Sequence, residues 1–123
     1  MAKKTFSLRS RFRSFKYAFQ GLGHLFRFEH NCWIHATIMM IALVIGFIVK
    51  LDALEWIMLV FAIGLVFIAE IFNTAIERLT DLKSPDVHPL AKQAKDLGAA
   101  AVLVASVIAI IIGLIIFIPK VFA

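Results

Sequence analysis

Residues 54–81, LEWIMLVFAIGLVFIAEIFNTAIERLTD, decide the fold. Residues 56–69 carry no charged group, a run whose only comfortable solvent is a bilayer or a protein core. Immediately after it, Glu70, Asn73, Glu77 and Asp81 recur at steps of three and four. On a helix that spacing places all of them on one narrow face. A lone carboxylate at mid-bilayer costs roughly 2.5–3.5 kcal/mol on insertion scales. Glu70 therefore requires a partner, a proton or a wet cleft.

Outward from this stretch the rest of the chain agrees. Its mean hydropathy is +0.93 and 17% of its 123 residues are charged, too apolar for a soluble domain of that length. Two further runs approach the ~20 residues a bilayer needs, so the expected spans are 31–49, 54–76 and 97–118. The first is long and lacks a small-residue cleavage site, so it is expected to remain in the mature protein. Before it, Leu8, Phe12, Phe15, Phe19, Leu22 and Phe26 share one helical face, opposite Arg9, Arg13, Lys16, Tyr17, Gln20, His24 and Arg27. Residues 1–28 thus read as an amphipathic helix on the membrane surface. The fold class is all-α integral membrane, with an N-terminal amphipathic surface helix plus three transmembrane helices, forming one domain over residues 1–123.

Charge sets an expected orientation. Lys3, Lys4, Arg9, Arg11, Arg13, Lys16 and Arg27 precede the first span, and Arg78, Lys83, Lys92 and Lys95 follow the second. The loop between the first two spans offers only Lys50 and the C-terminal tail only Lys120. By the positive-inside rule the N-terminus is cytoplasmic and the C-terminus outside. The net charge of +5 suits anionic headgroups or a phosphate ligand, and no nucleic-acid motif accompanies it. A single cysteine, Cys32, permits neither an internal disulfide nor a cysteine zinc site.

Depth relates the polar residues. Residues 54–69 rise about 24 Å through a ~30 Å hydrocarbon core, which puts Glu70 near the level of lipid hydroxyls. Glu77 lies about 10 Å nearer the water. Glu29 precedes the first span and Lys95 begins the third. Two carboxylates at that level suit Mg²⁺, which usually binds through one or two carboxylates plus substrate phosphates, and a lysine suits the phosphates. Two other readings stand beside this one: a non-catalytic membrane adaptor whose charges are interfacial ion pairs, and a carboxylate-lined proton pathway. The outer halves of all three spans offer almost no polar lining, which favours a site open only to the cytoplasm over a wide pore. On the third span Gly98, Ala101, Ala105, Ala109 and Gly113 form a seam for close helix packing, and Pro119 is expected to close that helix.

Residues 69–77, AEIFNTAIE, resemble the E-[IL]-x-N-[ST]-A-I-E motif of the prokaryotic diacylglycerol kinase family, small membrane lipid kinases that include undecaprenol kinases. Residues 88–96, HPLAKQAKD, resemble its second block, and FKYAFQGL at 15–22 and EHN at 29–31 extend the likeness over nearly the whole chain. The resemblance implies ATP- and Mg²⁺-dependent phosphorylation of a lipid alcohol, diacylglycerol or undecaprenol, in a bacterial inner membrane. It implies a homotrimer with active sites shared between protomers. By matching positions, Glu70 resembles the catalytic base and a substrate contact, and Asn73 the polar wall of the substrate site. Glu29 and Glu77 resemble metal ligands, and with Tyr17, Asp86, His88, Lys95 and Asp96 they make up the implied ATP site. Ser10 stands where some members have arginine and Ala99 where they have serine, so no contact is carried over for those two. The Glu29-His30-Asn31…Ile34-His35 pattern is closer to the undecaprenol kinase branch, although Trp33 replaces that branch's arginine. The chain has no G-x-x-x-x-G-K-[ST] loop, so nucleotide binding must be built differently.

Overall fold

The computed structural model describes residues 5–122, all helical apart from short connections. In chain order the elements are α1 (Leu8–Phe28), α2 (His30–Ile48), α3 (Ala53–Lys83) and α4 (Pro89–Val121). Of these, α2, α3 and α4 are long and apolar enough to cross a membrane. Residues 1–4 of the expected surface helix lie outside the described residues. Within them the helix starts at Leu8, where Ser7 is the N-cap and its side chain accepts from the Ser10 N–H.

Each connection is written in local chemistry. A single extended residue, Glu29 (φ −110°, ψ 108°), separates α1 from α2. Lys50 ends α2 in the left-handed region (φ 58°), and the Leu51 N–H reaches back to the Gly46 carbonyl at 3.1 Å. That 6→1 bond is the mark of a helix stop normally built on glycine. Asp52 then opens α3 through a reciprocal box with Glu55, each side chain accepting the other's backbone N–H at 2.9 Å. His88 caps α4 by accepting the Leu90 N–H on Nδ1 at 3.1 Å, with Pro89 in the first turn.

The helices outrun the apolar stretches that predicted them. At about 1.5 Å per residue α3 is about 46 Å long, so its C-terminal turns, Glu77 included, stand beyond a ~30 Å hydrocarbon core. Pro119 does not close α4, contrary to expectation: the helix runs on to Val121, and the Phe122 N–H still bonds to Ile118 O at 3.1 Å. So near the terminus a missing N–H removes a single ladder bond rather than splitting the helix.

α3 and α4 form the principal packed pair, with α2 leaning on α3. A small core of Leu51, Leu59 and Ile116 closes one end, backed by Leu43, Trp56 and Phe117. The Lys120 ammonium meets Glu55 there at 3.2 Å, fixing the start of α3 beside the end of α4. The expected small-residue seam is only half used within the chain: Gly98 and Ala105 are buried, while Ala101 is exposed. Many large side chains stay uncovered, including Phe47 and Phe61 at 74% exposure, as lipid-facing or partner-facing surface requires. The same holds for the apolar face of α1. Phe12, Phe15 and Phe19 are exposed, and only Leu25 of this helix is buried. The stripe read from the sequence is free to enter lipid, and the turn that touches the bundle lies at its end.

Candidate functional site

At the end opposite that core, α2 begins, α3 leaves the apolar zone and α4 enters it. Glu70 is here the one charged residue buried among the described residues, at 3% exposure. The partner its burial demands is His35, whose Nε2 lies 2.9 Å from Oε1. The contact is close but not aligned, since Oε1 has no hydrogen bond of proper geometry. One turn on, Asn73 donates from Nδ2 to Glu77 Oε1 at 3.4 Å and leaves its own Oδ1 buried without a partner. Thr74 Oγ1 is likewise sealed and unpaired. Three buried oxygens without partners thus fall within one helical turn.

Above this turn the carboxylates gather. Glu29, held at the α1–α2 break, faces the Arg78 guanidinium at 3.9 Å, and that guanidinium also lies over the Phe28 ring. Beyond the apolar run, burial and then the Glu29 charge push the Glu77 carboxyl above its ordinary range, with the Asn73 amide and Lys95 opposing. A cation at this pair would relieve the repulsion. Among the described residues no three His, Cys, Asp or Glu side chains form a metal cage. Two carboxylates open to the aqueous end nevertheless fit Mg²⁺ that completes its shell with phosphate oxygens and water.

The remaining sequence-derived candidates are placed differently. Lys95 is ion-paired across helices with Asp81, so the last member of the polar stripe restrains the expected phosphate lysine. Asp96 pairs with Lys92 on its own helix at 2.6 Å. The His88 imidazole is occupied as a helix cap. Tyr17, Asp86, His88 and Asp96 are all exposed, and among the described residues no hydrogen bond or ion pair joins them to the Glu70–Glu77 stripe. Trp33, which replaces the branch's arginine, donates Nε1–H to Phe26 O at 2.6 Å and meets the Phe26 ring edge-on. It stitches α1 to α2. His35, Thr74 and Arg78 were not picked out as site residues from the sequence.

Beneath the His35–Glu70 contact an apolar cavity of 410 Å³ continues between α2, α3 and α4, lined by Ala42, Leu59, Val66, Gly113 and Phe117. Ser106 is its one hydroxyl. A second cleft of 710 Å³ opens between α1 and α3, with Thr74 and Arg78 in its wall. The buried Glu70 carboxylate thus lies between an apolar cavity and the Glu29–Glu77 pair in a helical membrane protein.

Comparison with known sequences gives the family. The pattern of the prokaryotic diacylglycerol kinases matches residues 16–117, and the chain belongs to that family. It is thus a bacterial membrane protein and a lipid kinase. It is 46% identical to the undecaprenol kinase of Bacillus subtilis (strain 168) over 109 residues, covering 89% of each chain. With the diacylglycerol kinase of Escherichia coli (strain K12) it shares 32% identity over 111 residues, 90% of this chain and 91% of the other.

Proposed function

We propose that the protein transfers the γ-phosphate of ATP to the hydroxyl of a membrane lipid alcohol, with Glu70 as general base. The observation that carries this reading is the buried Glu70 carboxylate, two helical turns below the Glu29–Glu77 pair. Glu70 takes the proton from the lipid hydroxyl, and the freed oxygen attacks the γ-phosphorus as the bond to ADP breaks on the far side. Asn73 braces the polar wall. Mg²⁺, held by Glu29 and Glu77, would neutralise charge on the phosphate oxygens, which is most of what phosphoryl transfer asks of a site. Lys95 supplies further positive charge once a phosphate draws it from Asp81, and Tyr17, Asp86, His88 and Asp96 are the proposed nucleotide rim. ATP arrives from the cytosol and the lipid from the side, its chain lying along the apolar cavity. A proton pathway would need polar groups all along that cavity, where beyond His35 at its head the lining is apolar apart from Ser106.

Either diacylglycerol or undecaprenol presents the same interfacial hydroxyl, and apolar contacts discriminate chains by only ~1–3 kcal/mol per methylene. Activity on both is expected, with undecaprenol slightly favoured, in keeping with the higher identity to the Bacillus subtilis enzyme. The test is to measure kcat/KM for both alcohols in one bilayer with labelled ATP and Mg²⁺. No phosphorylated lipid at all would overturn the function, and a tenfold preference for diacylglycerol would overturn the branch assignment alone. In the same assay Glu29→Gln and Glu77→Gln should each raise the Mg²⁺ concentration needed for half-maximal rate by about tenfold, the expected cost of a lost carboxylate ligand. Unchanged Mg²⁺ dependence in both variants removes the metal pair.

The working unit is proposed to be a homotrimer with shared active sites. In a single chain the rim candidates Tyr17, Asp86, His88 and Asp96 lie apart from the Glu70–Glu77 stripe, which supports completion by a neighbour. Mixing Glu29→Gln with Glu70→Gln subunits should therefore recover activity. A three-chain mass in detergent checks the stoichiometry. The cation distribution orients the N-terminus toward the cytoplasm. A C-terminal reporter active only in the cytoplasm should therefore stay silent, and a signal from it reverses the topology.

A further inference from the structure

The Glu70 carboxylate has two oxygens in different circumstances. Oε1 is sealed from solvent and unsatisfied, whereas Oε2 is not among the sealed, unpaired atoms. Among the described residues the polar contact made by Glu70 comes from α2, where His35 Nε2 stands 2.9 Å from Oε1. Neither neighbour on α3 bonds this oxygen: the Asn73 amide donates to Glu77, and the Thr74 hydroxyl makes no hydrogen bond among the described residues. Cys32, one turn before His35, is a fully buried thiol and at best a weak donor. Gly98, the buried residue of α4 against Asn73, has no side chain to offer.

We propose that His35 is the positioning residue for Glu70, its Nε2–H fixing Oε1 so that Oε2 faces the lipid hydroxyl. The proposal rests on the reading of Glu70 as base. The ring sits where it can do this because α2 and α3 run antiparallel. Six residues of α2 carry the chain about 9 Å down from Glu29, and seven residues of α3 carry it about 10 Å up from Glu70 to Glu77, so His35 and Glu70 meet at one depth. A general base with a free rotor loses rate to misorientation, and a donor on the non-reacting oxygen removes that freedom. The present contact is short yet unaligned, as such bonds commonly are before substrate arrives. His35 also lines the head of the apolar cavity, so a lipid chain lying there would close against the imidazole.

The test compares His35→Ala and His35→Gln in the full-length protein in lipid. His35→Ala should lower kcat at least tenfold while leaving KM for ATP within twofold. His35→Gln, whose amide restores an N–H at similar reach, should recover to within threefold of the native rate. A His35→Ala kcat within twofold of native, or a Gln variant as slow as the Ala variant, overturns the proposal. A measurement free of activity and of these variants is the ring ¹⁵N resonance of His35 in the folded protein, which should shift on Glu70→Gln. Resonances unchanged by that substitution overturn the contact. Near-native turnover in Glu70→Gln instead defeats the base assignment, a result distinguishable from failure of the His35 proposal because the histidine resonances still report whether the two side chains touch.

Discussion

Glu70→Gln lowers kcat by about 10²–10⁴-fold, the range a positioned general base contributes. The expected loss is large because the substitution deletes proton affinity and little else. Glutamine has nearly the same shape and can occupy the same 3%-exposed site. Folding should not suffer, since a neutral amide costs less to bury than a carboxylate. ATP·Mg²⁺ affinity should hold within about twofold, because the Glu29–Glu77 pair lies about 10 Å away along the helix axis. Equal falls in kcat and in kcat/KM are the pattern of a group that acts in the transition state. Steady-state kinetics alongside nucleotide-binding measurements check this. Turnover within threefold of native would return Glu70 to the status of a structural carboxylate held by His35.

The candidate stripe was legible in the sequence because a helix in an apolar medium leaves few polar residues to interpret. Glu70, Asn73 and Glu77 stood out against hydrocarbon neighbours, and their spacing placed them on one face without any tertiary information. The three spanning helices followed for the same reason. What stayed hidden depended on contacts between helices. His35 needed the relative depth of α2 and α3, which counting residues from Glu29 and Glu77 toward the bilayer would have supplied. Arg78 falls beside the stripe rather than on it, and only the Glu29 break brings a carboxylate to it. Lys95 and Asp96 were legible as charges at the mouth of α4, but not their partners, since long side chains choose among nearby carboxylates by geometry. On α1 the apolar face was correctly periodic, yet periodicity cannot say whether lipid or protein covers it, and Leu25 does the packing.

Gly98 is where fold and site constrain each other most tightly, and substitution there has the second large expected effect. α4 lies so close to α3 at this level that a Cβ on Gly98 would run into Asn73 Oδ1, with Asn73 Cγ at 3.4 Å and the Asn73 Cα at 3.7 Å. The colliding atom is the end of a side chain that can rotate, while the other two distances are ordinary van der Waals contacts that leave no room for more than a methyl. Gly98→Ala therefore displaces the Asn73 amide from Glu77 but keeps the helices paired. Its stability change should be small, because the alanine's helix preference of about 1 kcal/mol offsets part of the crowding. Activity should still fall about tenfold. Gly98→Val adds atoms that the backbone must accommodate, costing about 1–3 kcal/mol of stability and abolishing measurable transfer. Gly113→Ala is the control for stability alone on the same helix, since nothing lies within 4 Å of its added methyl, and thermal stability should be native or slightly higher. Combining Gly98→Ala with Asn73→Ala separates the two consequences. Removing the amide relieves the collision, so thermal stability in detergent returns to native or above, while activity stays low because the polar wall is gone. Recovery of activity in that double variant would show that Asn73 merely fills space beside Gly98 and has no part in phosphoryl transfer.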